Sequence, residues 1–356
     1  VWIMAYTTID DPEAYFQTVI YTGNGSANHA ITLGGDTDMQ PDIVWIKNRD
    51  ATDNHQLFDA VRGATKRLEP NIGEGGSEAE TTDADTLDSF TSDGFQVDAD
   101  VKVNTNAEKY VSYCWKINGA GSANEVGTIN TSATSVNTTA GISLGSFTGN
   151  ATNNTVGHGL GVVPTSVWVK GISIANGWGV WSTGISAITD GVSFTDVNSE
   201  AYGSPTWFNS TLATSTVTSV GTNDRINPNA KTTLMICHND VQGFSKFSSY
   251  EGNGNANGPF IYLGFRPALI IMKDIDNDTA WISFDDQRAG YNADNNALTP
   301  NTNAAELTTD LIDILSNGFK PRSTASTVNS SGATYIYMAW AKSPLVNSEG
   351  VPVTAR

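Results

Sequence analysis

Cysteine and histidine are nearly missing from this chain: among 356 residues there are two of the first and four of the second. Cys114 and Cys237 make neither a disulfide framework nor a zinc set. His29, His55, His158 and His238 are scattered without the spacing of metal ligands. No metal and no cofactor is therefore expected. Positive charge is also short, with 19 Lys and Arg against 37 Asp and Glu and a net charge of −18. Such a surface repels nucleic acid and anionic membranes, and neither is expected as a partner. No apolar run approaches the roughly 20 residues of a membrane span, and the first residues lack a basic segment followed by an apolar one. Membrane insertion and a cleavable leader are not expected. Phosphate loops of the Gly-x-x-x-x-Gly-Lys-Ser/Thr type are absent too.

Thr, Ser, Asn and Gly are plentiful instead, together with nine Trp, eleven Tyr and thirteen Phe. β-Branched and aromatic residues suit pleated surfaces and Gly and Asn suit turns, so this composition describes short strands joined by many turns. The aromatics supply ample apolar area for a packed interior.

One stretch keeps returning. Tyr21-Thr22-Gly23-Asn24-Gly25 has near copies at Phe147-Thr148-Gly149-Asn150-Ala151 and Tyr250-Glu251-Gly252-Asn253-Gly254. Each is followed by a proline, an apolar run and a lysine: Pro41 to Lys47, Pro164 to Lys170, and Pro267 to Lys273. Eleven residues after each lysine stands an aromatic, Phe58, Trp181 or Phe284. Ser92-Asp93-Gly94-Phe95 is matched by Ser316-Asn317-Gly318-Phe319, and a closing strand recurs at 110–115, 233–238 and 335–340. Cys114, Cys237 and Ala339 share one place in that strand, which reads as a small buried side chain. The run "PDIVWIK" is apolar on both alternating faces, as in a strand covered on both sides, with the lysine marking its exit to solvent. Gly and Asn of the recurring stretch are expected to turn the chain in left-handed conformations.

These repeats predict an all-β fold of three tandem antiparallel β-sandwich, jelly-roll-like modules. The expected divisions are an N-terminal arm at 1–15, a first module at 16–120, a linker plus divergent second module at 121–246, a third module at 247–343, and a tail at 344–356. The linker is the Ser/Thr/Asn-rich stretch 121–145. The arm is expected to dock onto another subunit.

Candidate ligand or ion-pair positions are Asp59 and Arg62, with Asp285 and Arg288 in equivalent places. An Asp and an Arg three apart can pair with each other, or the guanidinium can offer its planar fork to a ligand. Pairing is the preferred reading. Asp274, Asp276 and Asp278 resemble the start of a calcium loop, but Thr279 and Asp285 stand where such a loop needs Gly and Glu. No histidine sits where a general base is expected, so no catalytic residue is assigned. Trp178, Trp181 and Trp207 suit either sugar stacking or core packing.

As a set, "MAYTTIDDPEAYFQTVIYTGNGS", "PDIVWIKNRDATDNHQLFDAVRGATKRL", "TSDGFQV", "YVSYCWK", "VGHGLGVVP", "GFSKFSSYEGNGNANGPFIYLGFRPALIIMKD" and "LSNGFKPR" resemble repeat-containing virion proteins of tailed bacteriophages, marine ones especially. The likeness runs from about residue 4 to 356. It implies a non-enzymatic structural protein of the virion, assembled in the host cytoplasm. A tail-fibre or tail-associated part is the first expectation, and a capsid decoration protein or a carbohydrate-binding receptor module the alternatives. Expected partners are other virion proteins, further copies in a homo-oligomer, and a host surface glycan.

Overall fold

A computed structural model describes residues 6–72, 79–200, 204–288 and 296–353. The fold is all-β and antiparallel. One strand order recurs in three sheets. In the first, the opening strand Phe16–Thr22 lies beside the closing strand Lys109–Trp115, followed by Ile43–Asn48 and Gln56–Asp59. The second sheet repeats this order with Ile142–Thr148, Thr232–His238, Ser166–Gly171 and Gly179–Ser182. The third does so with Ser245–Glu251, Thr334–Pro344, Phe265–Asp274 and Ile282–Asp285.

Strand alternation explains how each sheet is covered. In the first, Val44, Ile46, Phe58 and Cys114 face a cluster with Ile31 and Phe95, residues of the small outer sheet His29–Thr32, Gly94–Val97 and Leu87–Thr91. Ile43, Trp45, Leu57 and Trp115 face the opposite way, into a core shared by all three large sheets. The third sheet has a matching outer sheet of Ile261–Tyr262, Gly318–Pro321 and Ile312–Leu315. Behind the second, only Asn154–Gly157 and Val217–Val220 pair among the described residues, and the middle segment has no counterpart of the Ser-Asp-Gly-Phe and Ser-Asn-Gly-Phe elements that lead into an outer strand in the other two.

Register places Trp115, His238 and Trp340 at one equivalent position, opposite the first residue of each opening strand. These three meet in the shared core, where the Trp115 and Trp340 rings lie 5.4 Å apart and those of His238 and Trp340 5.7 Å apart. The sheets surround a pseudo-threefold axis. Backbone bonds close the circuit in one sense. Glu80 N–H donates to Ile172 O at 2.6 Å, Glu200 N–H to Ile275 O at 2.8 Å, and Glu306 N–H to Arg49 O at 2.9 Å. Each acceptor lies two residues beyond a recurring lysine, Lys170, Lys273 or Lys47.

Three expectations need correction. Residues 121–145 are not a linker: Ser122–Asn124 and Thr131–Asn137 add two strands to the middle sheet, making it six-stranded. Ser, Thr and Asn suit an edge where side chains bond neighbouring backbone, as Ser132 Oγ does to Ser146 O at 3.0 Å. The lysines do not exit to solvent, since Lys47, Lys170 and Lys273 are all buried. The described part of the arm, residues 6–15, does not stand apart from the modules but packs on them. Ile9 is in the core, Tyr6 Oη donates to Gly264 O at 3.0 Å, Glu13 pairs with Lys342, and Asp10 accepts from Ser348 N at 2.6 Å. Both ends of the described chain therefore pack on the third sheet. Among the described residues no helix is long and apolar enough to cross a membrane.

Candidate functional site

The Asp/Arg pairs sit at the ends of matching strands, Gln56–Asp59 and Ile282–Asp285. In each, the arginine Nε reaches the carboxylate Oδ2 at 2.5 Å and the arginine backbone N–H reaches Oδ1 at 2.9 Å. The guanidinium also donates to a carbonyl of its own strand, Leu57 O at 3.2 Å or Ser283 O at 3.3 Å. Both pairs are almost wholly buried. The fork is spent within the chain, fastening the loop after the strand to the strand itself. Burial opposes the charge on Arg288, but Asp285, Tyr113 and Glu306 outweigh it and raise the pKa. Tyr113 Oη, from the first sheet, donates to Asp285 Oδ2 at 2.9 Å.

A third member was not recognised in the sequence. Arg62 Nη1 lies 3.4 Å from Glu80 Oε2, and Arg288 Nη1 lies 3.3 Å from Glu306 Oε2. Glutamate follows arginine by the same 18 residues in both, so the spacing Asp-x-x-Arg-x17-Glu was the available signal. These are the glutamates whose N–H groups close the circuit. Arg49 grips Glu306 with Nε at 2.7 Å and Nη2 at 2.9 Å. Burial pushes the Glu306 carboxyl up, and the bonds and charges of Arg49 and Arg288 more than offset it, so its pKa is lowered. Beside Glu80, by contrast, lies an open cleft of about 460 Å³ reached by Arg62, Ser132, Ser146, Ser173 and Thr232.

The buried lysines do equivalent work. Lys47 Nζ donates to Asn48 O and Ala51 O at 2.5 and 3.0 Å, Lys273 Nζ to Asp274 O and Asn277 O at 2.5 and 3.2 Å. Lys170 Nζ donates to Asn176 O. Each ammonium gathers the carbonyls of the loop that follows its strand. Burial lowers the pKa of Lys47 and of Lys273 to about 8.

The recurring Thr-Gly-Asn or Glu-Gly-Asn stretch is a turn held by a buried asparagine. Asn104, Asn227 and Asn329 accept from the N–H of Asn24, Asn150 and Asn253 at 2.8, 2.9 and 2.8 Å. Each lies six residues before the start of the recurring closing segment, at Tyr110, Thr233 or Tyr335, a regularity present in the sequence and overlooked there. The first glycine is needed for close approach: a Cβ on Gly23, Gly149 or Gly252 would fall 2.1–2.3 Å from a carbonyl oxygen. The left-handed residue is the one after the asparagine, Gly25, Ala151 or Gly254, with φ of 66°, 54° and 65°, so the expectation that Asn takes that conformation is corrected.

The remaining candidates are structural. Asp274 Oδ1 accepts from Asp276 N and Asn277 N, Asp276 Oδ2 from Thr334 N, and Asp278 Oδ1 from Ser199 N, all within 3.0 Å. The three carboxylates point at separate backbone groups and do not converge on one ion. Among the described residues no His, Cys, Asp or Glu cluster is arranged to hold a metal. Gly141-Ile142-Ser143-Leu144-Gly145 has the spacing of a nucleophile elbow, yet Ser143 is buried in mid-strand opposite Cys237. Burial pushes the thiols of Cys114 and Cys237 up to about 12 and takes Trp178 and Trp207 into the core, away from any sugar.

Comparison with curated proteins finds no match. Over residues 11–344, which take in all three sheets, the chain matches the family described as a domain of unknown function, DUF7483, and it belongs to that family.

Proposed function

We propose that this protein is a non-enzymatic structural component displayed on the surface of a tailed-phage particle, as a tail-fibre or tail-associated part. The observation that carries this reading is how the interior charges are used. Two buried Asp/Arg pairs and three buried lysines all bind backbone of the chain itself. Such an interior makes a rigid body that resists proteolysis and presents its loops outward. The acidic surface keeps it soluble during assembly. The motif resemblance supplies the particle. Contacts to other virion proteins, to further copies of the chain and to a host glycan would then be made by outer loops, because the aromatic core is filled within one chain.

The pseudo-threefold axis favours a second reading, capsid decoration, since a chain with three corresponding sectors can seat on a threefold site of a shell. Copy number in purified particles, by quantitative mass spectrometry against the major capsid protein, tests both. On the order of a few to a few tens of copies supports the tail. A ratio near one per few capsid subunits moves the protein to the shell. Absence from particles overturns the proposal.

A further inference from the structure

The three seams of the circuit each bring a glutamate to the neighbouring sheet, and they are finished differently. Where the third sheet meets the first, Arg49 closes a two-pronged grip on Glu306. Where the second meets the third, Ser186 binds both oxygens of Glu200, through N at 2.7 Å and Oγ at 2.5 Å. Where the first meets the second, the place of Arg49 is taken by Ile172, whose side chain has nothing to donate. Among the described residues Glu80 then has only long side-chain contacts, 3.4 Å to Arg62 and 3.7 Å to Lys66. The space left is the cleft of about 460 Å³.

We infer that this cleft binds a small, neutral, polyhydroxylated ligand of the size of a mono- or disaccharide. Its volume lies in the range of small-molecule sites. Among the described residues its charges are balanced, since Asp59 and Glu80 face Arg62 and Lys66, which favours a neutral ligand over an ion. The Glu80 carboxylate retains lone pairs for two adjacent hydroxyls, the bidentate arrangement a vicinal diol provides. Ser132, Ser146, Ser173 and Thr232 on the walls carry hydroxyls that can both donate and accept, and half-buried Val61 offers apolar surface to the C–H face of a sugar ring. The assignment stands on the cleft alone. Absence from particles would leave it intact, and failure to bind sugar would leave the particle reading intact.

The test is saturation-transfer NMR on the full chain with glucose, galactose, mannose, N-acetylglucosamine, lactose and maltose, and inorganic phosphate as the anion control. At least one sugar is expected to give signals. Ile172→Arg, which offers Glu80 the side chain that Arg49 offers Glu306, should abolish them, with a lowered unfolding midpoint because Ile172 is buried. Glu80→Gln, nearly isosteric, should weaken binding about tenfold or more, and decides the matter if Ile172→Arg does not fold. Silence from all six sugars, signals that survive the substitutions, or binding of phosphate alone would overturn the inference.

Discussion

The indole of Trp115 meets that of Trp340 edge-on, with centroids 5.4 Å apart and planes at 75°. These residues come from the closing strands of the first and third sheets, and Trp168 of the second sheet lies 6.5 Å from Trp340. Removing one indole therefore loosens all three sheets. Trp340→Ala is expected to cost about 3–5 kcal/mol, in one cooperative urea transition seen alike by tryptophan fluorescence and far-UV circular dichroism. Separate transitions would mean that the sheets fold as independent units.

Arg288 should behave as half of a buried pair. Arg288→Met leaves the buried Asp285 carboxylate without its countercharge and should cost about 3–5 kcal/mol. The double variant Asp285→Asn, Arg288→Met removes both charges and should cost less than Arg288→Met alone in chemical denaturation. Equal or greater loss in the double variant would show that the carboxylate is not what the arginine neutralises.

Asn329 fixes the third turn with donors to Asn253 Oδ1, Asn255 O and Ser323 O and an acceptor for Asn253 N. Asn329→Ala should cost about 2–4 kcal/mol, as several buried groups lose partners at once. Amide hydrogen exchange at Asn253 and Gly254 should accelerate. Unchanged protection there would refute the assigned role.

His238 makes the fold acid-sensitive. Burial lowers its pKa to about 3, and its Nδ1 has no hydrogen-bond partner among the described residues. The unfolded chain binds its proton near pH 6.5 and the folded chain only near pH 3, so stability is present above pH 6.5 and is lost as pH falls through that window. His238→Phe, which keeps an aromatic beside Phe247 and Trp340, should flatten the dependence of unfolding free energy on pH by about 1.4 kcal/mol per unit between pH 4 and 6. His55, also lowered to about 3 by burial with Lys47 adding to the shift, should leave a residual slope. Identical slopes in the two proteins would sink this account.

Cys114 and Cys237 should be silent toward a thiol reagent in the native protein and react at two equivalents after denaturation. Rapid native labelling of either would contradict its burial.

The strands were legible because their signals are local. "PDIVWIK" shows its two apolar faces without knowledge of a partner, and the equal spacing from Lys47 to Phe58, Lys170 to Trp181 and Lys273 to Phe284 aligns the copies. The lysines themselves were misread for a physical reason. A terminal charge ordinarily means solvent, and only the folded loop shows carbonyls such as Asn277 O closing around the ammonium. Residues 121–145 look like a linker by composition, yet an edge strand can be built of Ser and Thr once its backbone pairs with Ile142–Thr148. The link between Arg62 and Glu80 spans a loop with no periodic signal, so it was recoverable only by comparing arginine-to-glutamate spacings between copies. The cleft was out of reach, because no local pattern shows that Arg62, Ser132, Ser173 and Thr232, far apart in the chain, close around one space.

The tie of Asp10 to Ser348 and of Glu13 to Lys342 bears on how the gene can be rearranged. With the two ends of the described chain fastened to the same sheet, the circuit has no topological need to begin at its present first strand. A circular permutant that joins the old ends through a short flexible linker and opens at Gly119, a left-handed residue flanked by exposed Asn118 and Ala120 between the first and second sheets, would keep every strand pair and every seam. The order of the three sectors along the chain would then be a matter of descent, and their cyclic order in space a matter of physics.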